Sequence, residues 1–241
     1  MSGLGDGRFR VRRAADAADL ARVEALRAAR FRGDPAARDL DAYDARAVHL
    51  MVEETATGRL ACCFRLLPVE DVAASYSAQF YGLEALAAYP GRMVEMGRFC
   101  VAEGEADPAV LRLAWGALAA EIEARGVSLL FGCASFPGVE AEPHAEAFAL
   151  LGAPHLAPRR WAPRVKAPAV FRYALALRAR RPDLAAALKA MPPLLRSYLS
   201  LGGWVSDHAV VDRDLGTMHV FTALETRAIP PARARSMRAV A

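Results

Sequence analysis

The sequence predicts an α/β or α+β protein in which a mixed sheet carries helices on both faces. Three observations predict it. Strand-like and helix-like apolar periods alternate along the 241 residues, the order that builds a sheet flanked by helices. Strand-like runs at 47–52 and 60–67 flank a short turn at 55–58, which makes an early hairpin. Residues 127–133 form an unbroken apolar run, the pattern of a strand buried on both faces.

Residues 9–13 read as a first strand. Between 17 and 31, Leu20, Val23, Leu26 and Phe31 recur near helical spacing, with Asp16 as N-cap and Gly33 as the stop. The polar loop RGDPAARDLDAYDAR leads into the hairpin, which Pro68 ends. An irregular segment follows over 69–91, with a helix near 83–88, and then the strand MVEMGRFCV at 93–101. Asp107 and Pro108 suit the N-cap and first turn of a helix. Its apolar face is Val110, Leu113, Ala117, Leu118 and Ile122, and Gly126 closes it. SFPG ends the buried strand after residue 133. Beyond it, 145–151 reads as a short helix and PHLAPRRWAPRVKAP as a connection rich in proline and arginine. Residues 170–177 read as a strand, and 183–191 and 192–201 as helices, the second stopped by Gly202 and Gly203. AVVDRDLGTMHVFTAL reads as two short strands around a turn. The expected organisation is one domain over 1–226 and a basic, frayed tail over 227–241.

A composition of 54% hydrophobic and 24% charged residues is that of a globular chain with material for a sizeable core. The net charge of +4 and pI of about 9.1 are modestly basic. They favour an acidic partner, such as an anionic membrane surface or an acidic carrier protein, and no nucleic acid is expected. Cys62, Cys63, Cys100 and Cys133 show no CxxC spacing, so no metal site is expected and the thiols read as reduced and buried. The N-terminus lacks the apolar core of a secretory signal, and no apolar run approaches the roughly 20 residues that span a bilayer. These features predict a cytoplasmic protein, with any membrane contact peripheral and on the inner face.

MVEMGRFCV poses the sharpest question, because an apolar strand carries Glu95 and Arg98 three residues apart. A regular strand sends residues three apart to opposite faces. Gly97 between them marks a candidate β-bulge, which shifts the alternation and lets both side chains share a face. Buried charges are tolerated when they are paired. The arrangement is therefore either a structural ion pair or a carboxylate base beside a cation, and bulges are common beside active sites.

These residues carry a resemblance. A bulged strand, a capped helix and a further buried strand resemble the centre of the GCN5-related N-acyltransferase fold, with its bulged, splayed central strand. Glu95-x-x-Arg98-Phe99 is similar to the Glu-x-Ser-Arg-Phe signature of acyl-homoserine-lactone synthases, with Gly97 in the serine position. Their Arg-x-x-x-Phe, Asp-x-x-Asp and Arg-Leu-Leu-Pro motifs have counterparts in the same order: Arg27 and Phe31, Asp41 and Asp44, and Arg65 to Pro68. CFRLLP, YSAQFY, EMGRFCV, LLFGCASFPG and PPLLRSYLSLGGWVSDHAVVDRDLGTMHVF resemble more closely the L-ornithine Nα-acyltransferases, and together they cover most of residues 60–224.

The resemblance implies transfer of a 3-hydroxyacyl chain from acyl carrier protein to the α-amine of ornithine, giving lyso-ornithine lipid. It leaves glutamine open as the acceptor. Lactone synthesis is the alternative among enzymes, and a non-catalytic acyl or carrier binder is the alternative from another class. No cofactor is implied beyond the 4'-phosphopantetheine that the carrier brings. By this reading Glu95 is the general base, and Arg98 orients it or binds a substrate carboxylate. Backbone around Phe99, Cys100 and Val101 binds the pantetheine arm and the developing oxyanion. Asp41, Asp44 and Arg65 complement the two ammonium groups and the carboxylate of ornithine, or else the aspartates cap the loop and the arginine is a solvated strand end. Arg27 and Phe31 line the acyl pocket or pack the first helix. Asp207, His208 and Asp212 belong to the matched C-terminal pattern without an assigned role. A covalent acyl-cysteine at Cys100 or Cys133 is a rival that lacks a histidine nearby in sequence. Finally, VAEGEADPAVLRLAW lacks the glycine-rich turn that cradles the pyrophosphate of coenzyme A, which favours a carrier-protein donor.

Overall fold

The structure, a computed structural model, describes residues 4–152 and 154–233. In chain order the elements are β1 (Leu4–Gly5), β2 (Phe9–Arg13), α1 (Ala17–Phe31), β3 (Val48–Glu54), β4 (Leu60–Val69), β5 (Tyr81–Gly82), β6 (Arg92–Val101), α2 (Pro108–Arg125), β7 (Val127–Pro137), α3 (Ala145–Leu151), β8 (Arg164–Val165), β9 (Val170–Phe171), α4 (Tyr173–Ala176), α5 (Leu184–Ala190), α6 (Pro193–Ser200), β10 (Trp204–Asp212) and β11 (Thr217–Glu225). The chain forms the mixed α/β fold that its sequence predicts. It divides into two compact units. The first comprises residues 1–68, 94–127 and the stretch from Pro231; the second comprises 69–93 and 128–230.

In the first unit the strand order is β1-β2-β3-β4-β6. β2 pairs antiparallel with β3, and β3 with β4 in the expected hairpin. Pro68 does not end β4, which runs on to Val69. The last β4 residue paired with β3 is Leu66, opposite Val48, so the N–H that proline lacks costs no bond on that side. α1 starts where Asp16 accepts the Asp19 N–H at 2.9 Å. α2 starts where Asp107 accepts the Ala109 N–H at 2.8 Å, with Pro108 in its first turn, and ends at Gly126 in the left-handed region. Val23, Met51, Cys63 and Cys100 form an apolar cluster between α1 and the sheet strands.

In the second unit the order is β7-β11-β10-β9, all antiparallel. SFPG lies largely inside β7, which continues to Pro137 before Gly138 turns the chain at φ +82°. The helix expected near 83–88 is a 3₁₀ turn, Glu84–Ala88. The strand expected over 170–177 is only Val170–Phe171 followed by the helical turn α4. Tertiary contacts override the β propensity there: Tyr173 is fully buried, its ring stacks on Phe148 and its hydroxyl donates to the Ser206 carbonyl. The last two strands are longer than expected, nine residues each. Polar residues hid the start of β10. Ser206 and His208 are fully buried, and the Ser206 hydroxyl donates to the His208 carbonyl while accepting the Phe221 N–H. Of the basic tail, Arg227 is ion-paired with Glu225, whereas Arg235 and Arg238 lie outside the described residues.

Candidate active site

The candidate residues of the first unit converge, although 71 positions separate Arg27 from Arg98. Their meeting point is the loop between α1 and β3. Its run DLDAYD supplies Asp39, Asp41 and Asp44. α1 supplies Arg27, β4 supplies Arg65 and β6 supplies Arg98. Arg27 is 1% exposed. It donates from Nε to Asp39 at 2.9 Å and from Nη1 and Nη2 to the two oxygens of Asp44 at 2.7 and 3.1 Å. Arg65 grips Asp41 with both Nη atoms at 2.6 and 2.8 Å, and its Nη1 also reaches Asp44 at 2.7 Å. Such two-point guanidinium–carboxylate bonds fix orientation as well as charge.

Arg98 completes the cluster. Its Nε donates to Asp39 at 2.9 Å, its Nη2 lies 3.6 Å from Asp41, and its guanidinium sits over the Phe31 ring at 5.5 Å. Its backbone has φ +52°, the one non-glycine positive φ among the described residues. The irregular backbone of β6 therefore falls on Arg98, and Gly97, the expected bulge residue, is not in the left-handed region. A left-handed L-residue costs roughly 1–2 kcal/mol. Bonds to Asp39 and the Phe31 contact offset that cost here.

Glu95 is buried, and its negative charge adds to burial in raising the Tyr43 hydroxyl above its ordinary pKa. Tyr43 lies in the same loop, with the Arg65 guanidinium 5.7 Å from its ring. Arg98 thus bonds this loop, and the charge of Glu95 is near enough to act on Tyr43 within it. Burial acts to raise the Asp44 carboxyl, but the Arg27 bonds, the Asp41 N–H and the Arg65 charge outweigh it and hold Asp44 well below the usual carboxylate range. Asp44 is thus a fixed anion inside the cluster. Asp41, 21% exposed at its side chain, is the more open of the two.

Phe99 stacks on Phe64 at 5.4 Å. The Cys100 sulfur lies 3.5 Å from that of Cys63, inside the apolar cluster under α1. The Cys100 sulfur and then burial push the Cys63 thiol well above its ordinary pKa, so this pair has the character of core packing. Val101 ends β6, and the following N–H of Ala102 donates to Ala61 at 2.8 Å. Before α2, Glu105 accepts the Asp107 N–H at 2.9 Å and pairs with Arg59 at 2.5 Å. Cys133, Asp207, His208 and Asp212 belong to the second unit. There His208 bonds Asp207 at 2.6 Å, and Tyr81 bonds His219 at 3.1 Å.

Asp39 was not singled out by the sequence. It is 1% exposed, bonds two guanidinium Nε atoms and has Arg32 Nε 3.4 Å from its other oxygen. The run DLDAYD, three acids in six residues facing arginines from three elements, is the signal that marks it.

Comparison with known proteins identifies the family. The acetyltransferase (GNAT) domain model matches residues 23–116, the span from α1 to α2 that holds the whole cluster. The L-ornithine N(alpha)-acyltransferase of Rhodobacter capsulatus is 32% identical over 199 residues, covering 79% of this chain and 76% of that protein. The protein of the same name from Rhizobium meliloti is 34% identical over 198 residues, covering 78% of this chain and 66% of that protein. Among solved structures, apo TofI superposes with a TM-score of 0.54 at 15% identity, covering 97% of this chain and 99% of that one. FeeM, an N-acyl amino acid synthase from uncultured soil microbes, superposes with a TM-score of 0.53 at 9% identity, covering 91% and 93%. These two structures agree with the fold, and the sequence relatives establish the family: the chain is an acyltransferase and belongs to the L-ornithine N(alpha)-acyltransferases.

Proposed function

We propose that this chain moves a 3-hydroxyacyl group from acyl carrier protein to the α-amine of L-ornithine and releases lyso-ornithine lipid. The supporting observation is the family membership, read together with a buried carboxylate, Glu95, on the strand that Arg98 kinks. The reaction is aminolysis of a thioester. Glu95 takes the ammonium proton, directly or through a water, so that the amine can attack. Negative charge then gathers on the thioester oxygen. Backbone N–H groups around Phe99, Cys100 and Val101 meet it, and the same stretch holds the pantetheine arm. As the new C–N bond is kept and the C–S bond breaks, the pantetheine thiolate leaves with the carrier and takes the proton that Glu95 accepted, and the second amine proton passes to solvent. Positioning supplies much of the rate.

The cluster refines the acceptor side. Asp44 is enclosed by Arg27 and Arg65 and acts as scaffold. Asp41 is the acid left to meet the ornithine side-chain ammonium, sharing its charge with Arg65. The choice of donor is supported by the turn before α2. Carboxylates of Glu105 and Asp107 already take the amides of Asp107 and Ala109, where a pyrophosphate would need them. A carrier's single phosphodiester makes no such demand, and the exposed Arg159, Arg160 and Arg164 suit an acidic carrier.

The test supplies purified protein with ornithine or glutamine and with matched 3-hydroxyacyl-carrier or 3-hydroxyacyl-CoA, and reads products by mass spectrometry. The expected result is acyl-ornithine from the carrier donor, at a rate that falls with salt. Glu95→Gln should lower single-turnover rate by about 10²- to 10⁴-fold while melting stays close to wild type. Equal use of both donors would remove the carrier, and an active but unstable Glu95→Gln would make Glu95 structural.

A further inference from the structure

The second unit carries exposed leucines that the acyl-transfer site does not explain. Leu175 and Leu184 are each 60% exposed and Leu188 is 41% exposed. They are three of the six large hydrophobic residues exposed among the described residues, and they include the two most exposed. Leu184 and Leu188 stand one turn apart on α5, and Leu175 is on α4. Both helices pack on α3, and the buried Tyr173 and Ala187 anchor them from beneath. Exposed leucines are therefore the outward side of seated helices.

The charge around them is predominantly positive. Arg178, Arg181 and Lys189 are exposed and form no ion pair among the described residues. Of the acids nearby, Glu146 accepts from Arg180 and from the Asp183 N–H, Asp183 caps α5 through the Ala186 N–H, and Glu142 is exposed on the turn that packs on α5. Protruding leucines ringed by unpaired cations match the interface of an anionic bilayer. The apolar side chains enter the acyl boundary, where no matching cavity is needed, while arginine and lysine meet phosphates.

We propose that the α4–α5 face docks the protein on anionic lipid, through Leu175, Leu184 and Leu188 with Arg178, Arg181 and Lys189. This rests on the lipid-forming reading above and names the surface that would deliver an amphiphilic product to a membrane. It differs from an attachment by the basic C-terminal residues, and from use of the same face by the acidic carrier protein.

The test uses the full chain and vesicles of phosphatidylcholine alone or with phosphatidylglycerol, in a flotation assay. Leu175→Ser, Leu184→Ser and Leu188→Ser are combined in one variant, and Arg178→Glu, Arg181→Glu and Lys189→Glu in another. All variants are first matched to wild type by circular dichroism and melting. Wild type should float with the anionic vesicles only, and each triple variant should lose about tenfold or more of that binding. Carrier-dependent turnover without vesicles should be unchanged in the leucine variant, which separates this proposal from the reaction itself. Three results would each overturn it: wild type failing to float, the leucine variant still floating through its intact basic tail, or that variant losing carrier-dependent turnover in vesicle-free solution. The last would assign the face to the carrier.

Discussion

Replacing Asp39 by asparagine removes one charge from the centre of the cluster and keeps its shape. The carboxylate accepts two Nε–H bonds of 2.9 Å, from Arg27 and Arg98, and is 1% exposed. Deleting one member of a fully buried pair costs about 3–5 kcal/mol. Here the residual partners reduce that. Arg27 keeps both oxygens of Asp44, and Arg98 keeps Asp41 at 3.6 Å. The asparagine oxygen can still accept one Nε–H, but its NH₂ then opposes the second guanidinium. The expected loss is the larger part of one charge-assisted bond plus that clash, about 2–4 kcal/mol. For a chain of this size that lowers Tm by roughly 4–16 °C.

The kinetic consequence follows from Arg98. Its φ of +52° is held in part by the Asp39 bond, so Asp39→Asn lets β6 relax where Phe99, Cys100 and Val101 are expected to bind the donor. A displacement near 1 Å is worth about 10² in rate, and the fall should appear in kcat more than in KM. Arg98→Gly provides the control, because glycine adopts this φ without steric cost. If Asp39 acts by holding the kink, Asp39→Asn adds little to the kcat loss of Arg98→Gly. Urea unfolding and single-turnover kinetics on the four proteins of this cycle decide it. Additive losses, or an Asp39→Asn protein with wild-type kcat, would refute a positioning role for Asp39.

Two further outcomes follow. Asp44 has a lowered folded-state pKa, so its contribution to stability is present above the unfolded value of ~3.9 and is lost as pH falls below it towards the folded value. Urea midpoints from pH 6 down to pH 2 should fall more steeply in wild type than in Asp44→Asn, and parallel curves would contradict the assignment. At Gly97 a Cβ would come no closer than 3.4 Å to Arg65 Nε, and the backbone is not left-handed. Gly97→Ser should therefore change stability by less than about 0.5 kcal/mol. Gly126→Ala, at φ +60°, should cost about 1 kcal/mol, as read by thermal melting.

What the sequence made legible was local or periodic. Asp16, and Asp107 with Pro108 and Gly126, bracket α1 and α2 because caps act within one turn. Arg27, Asp41, Asp44, Arg65, Glu95 and Arg98 were found through motif order, and the fold gathers them around one loop. The pairing inside that cluster was not legible. The loop RGDPAARDLDAYDAR offers several aspartates of similar local character, and only the arrival of Arg27 and Arg98 from distant elements distinguishes Asp39. The same limit explains 170–177, where Tyr173 follows Phe148 and Ser206 instead of its own propensity.

The pairing also bears on why Glu95 exists. From sequence, Glu95 could be there only to neutralise Arg98. In the structure Asp39 already bonds Arg98, Asp41 bonds Arg65, and Asp44 bonds Arg27. Each of these three arginines is thus met by an aspartate, and Arg32, the third cation against Asp39, is 28% exposed at its side chain and reaches solvent. Under the proposed function Glu95 is the general base, and its replacement then acts on the proton transfer. On that argument Glu95→Gln leaves the arginine–aspartate pairs intact, and its effect belongs in the rate and not in the melting curve.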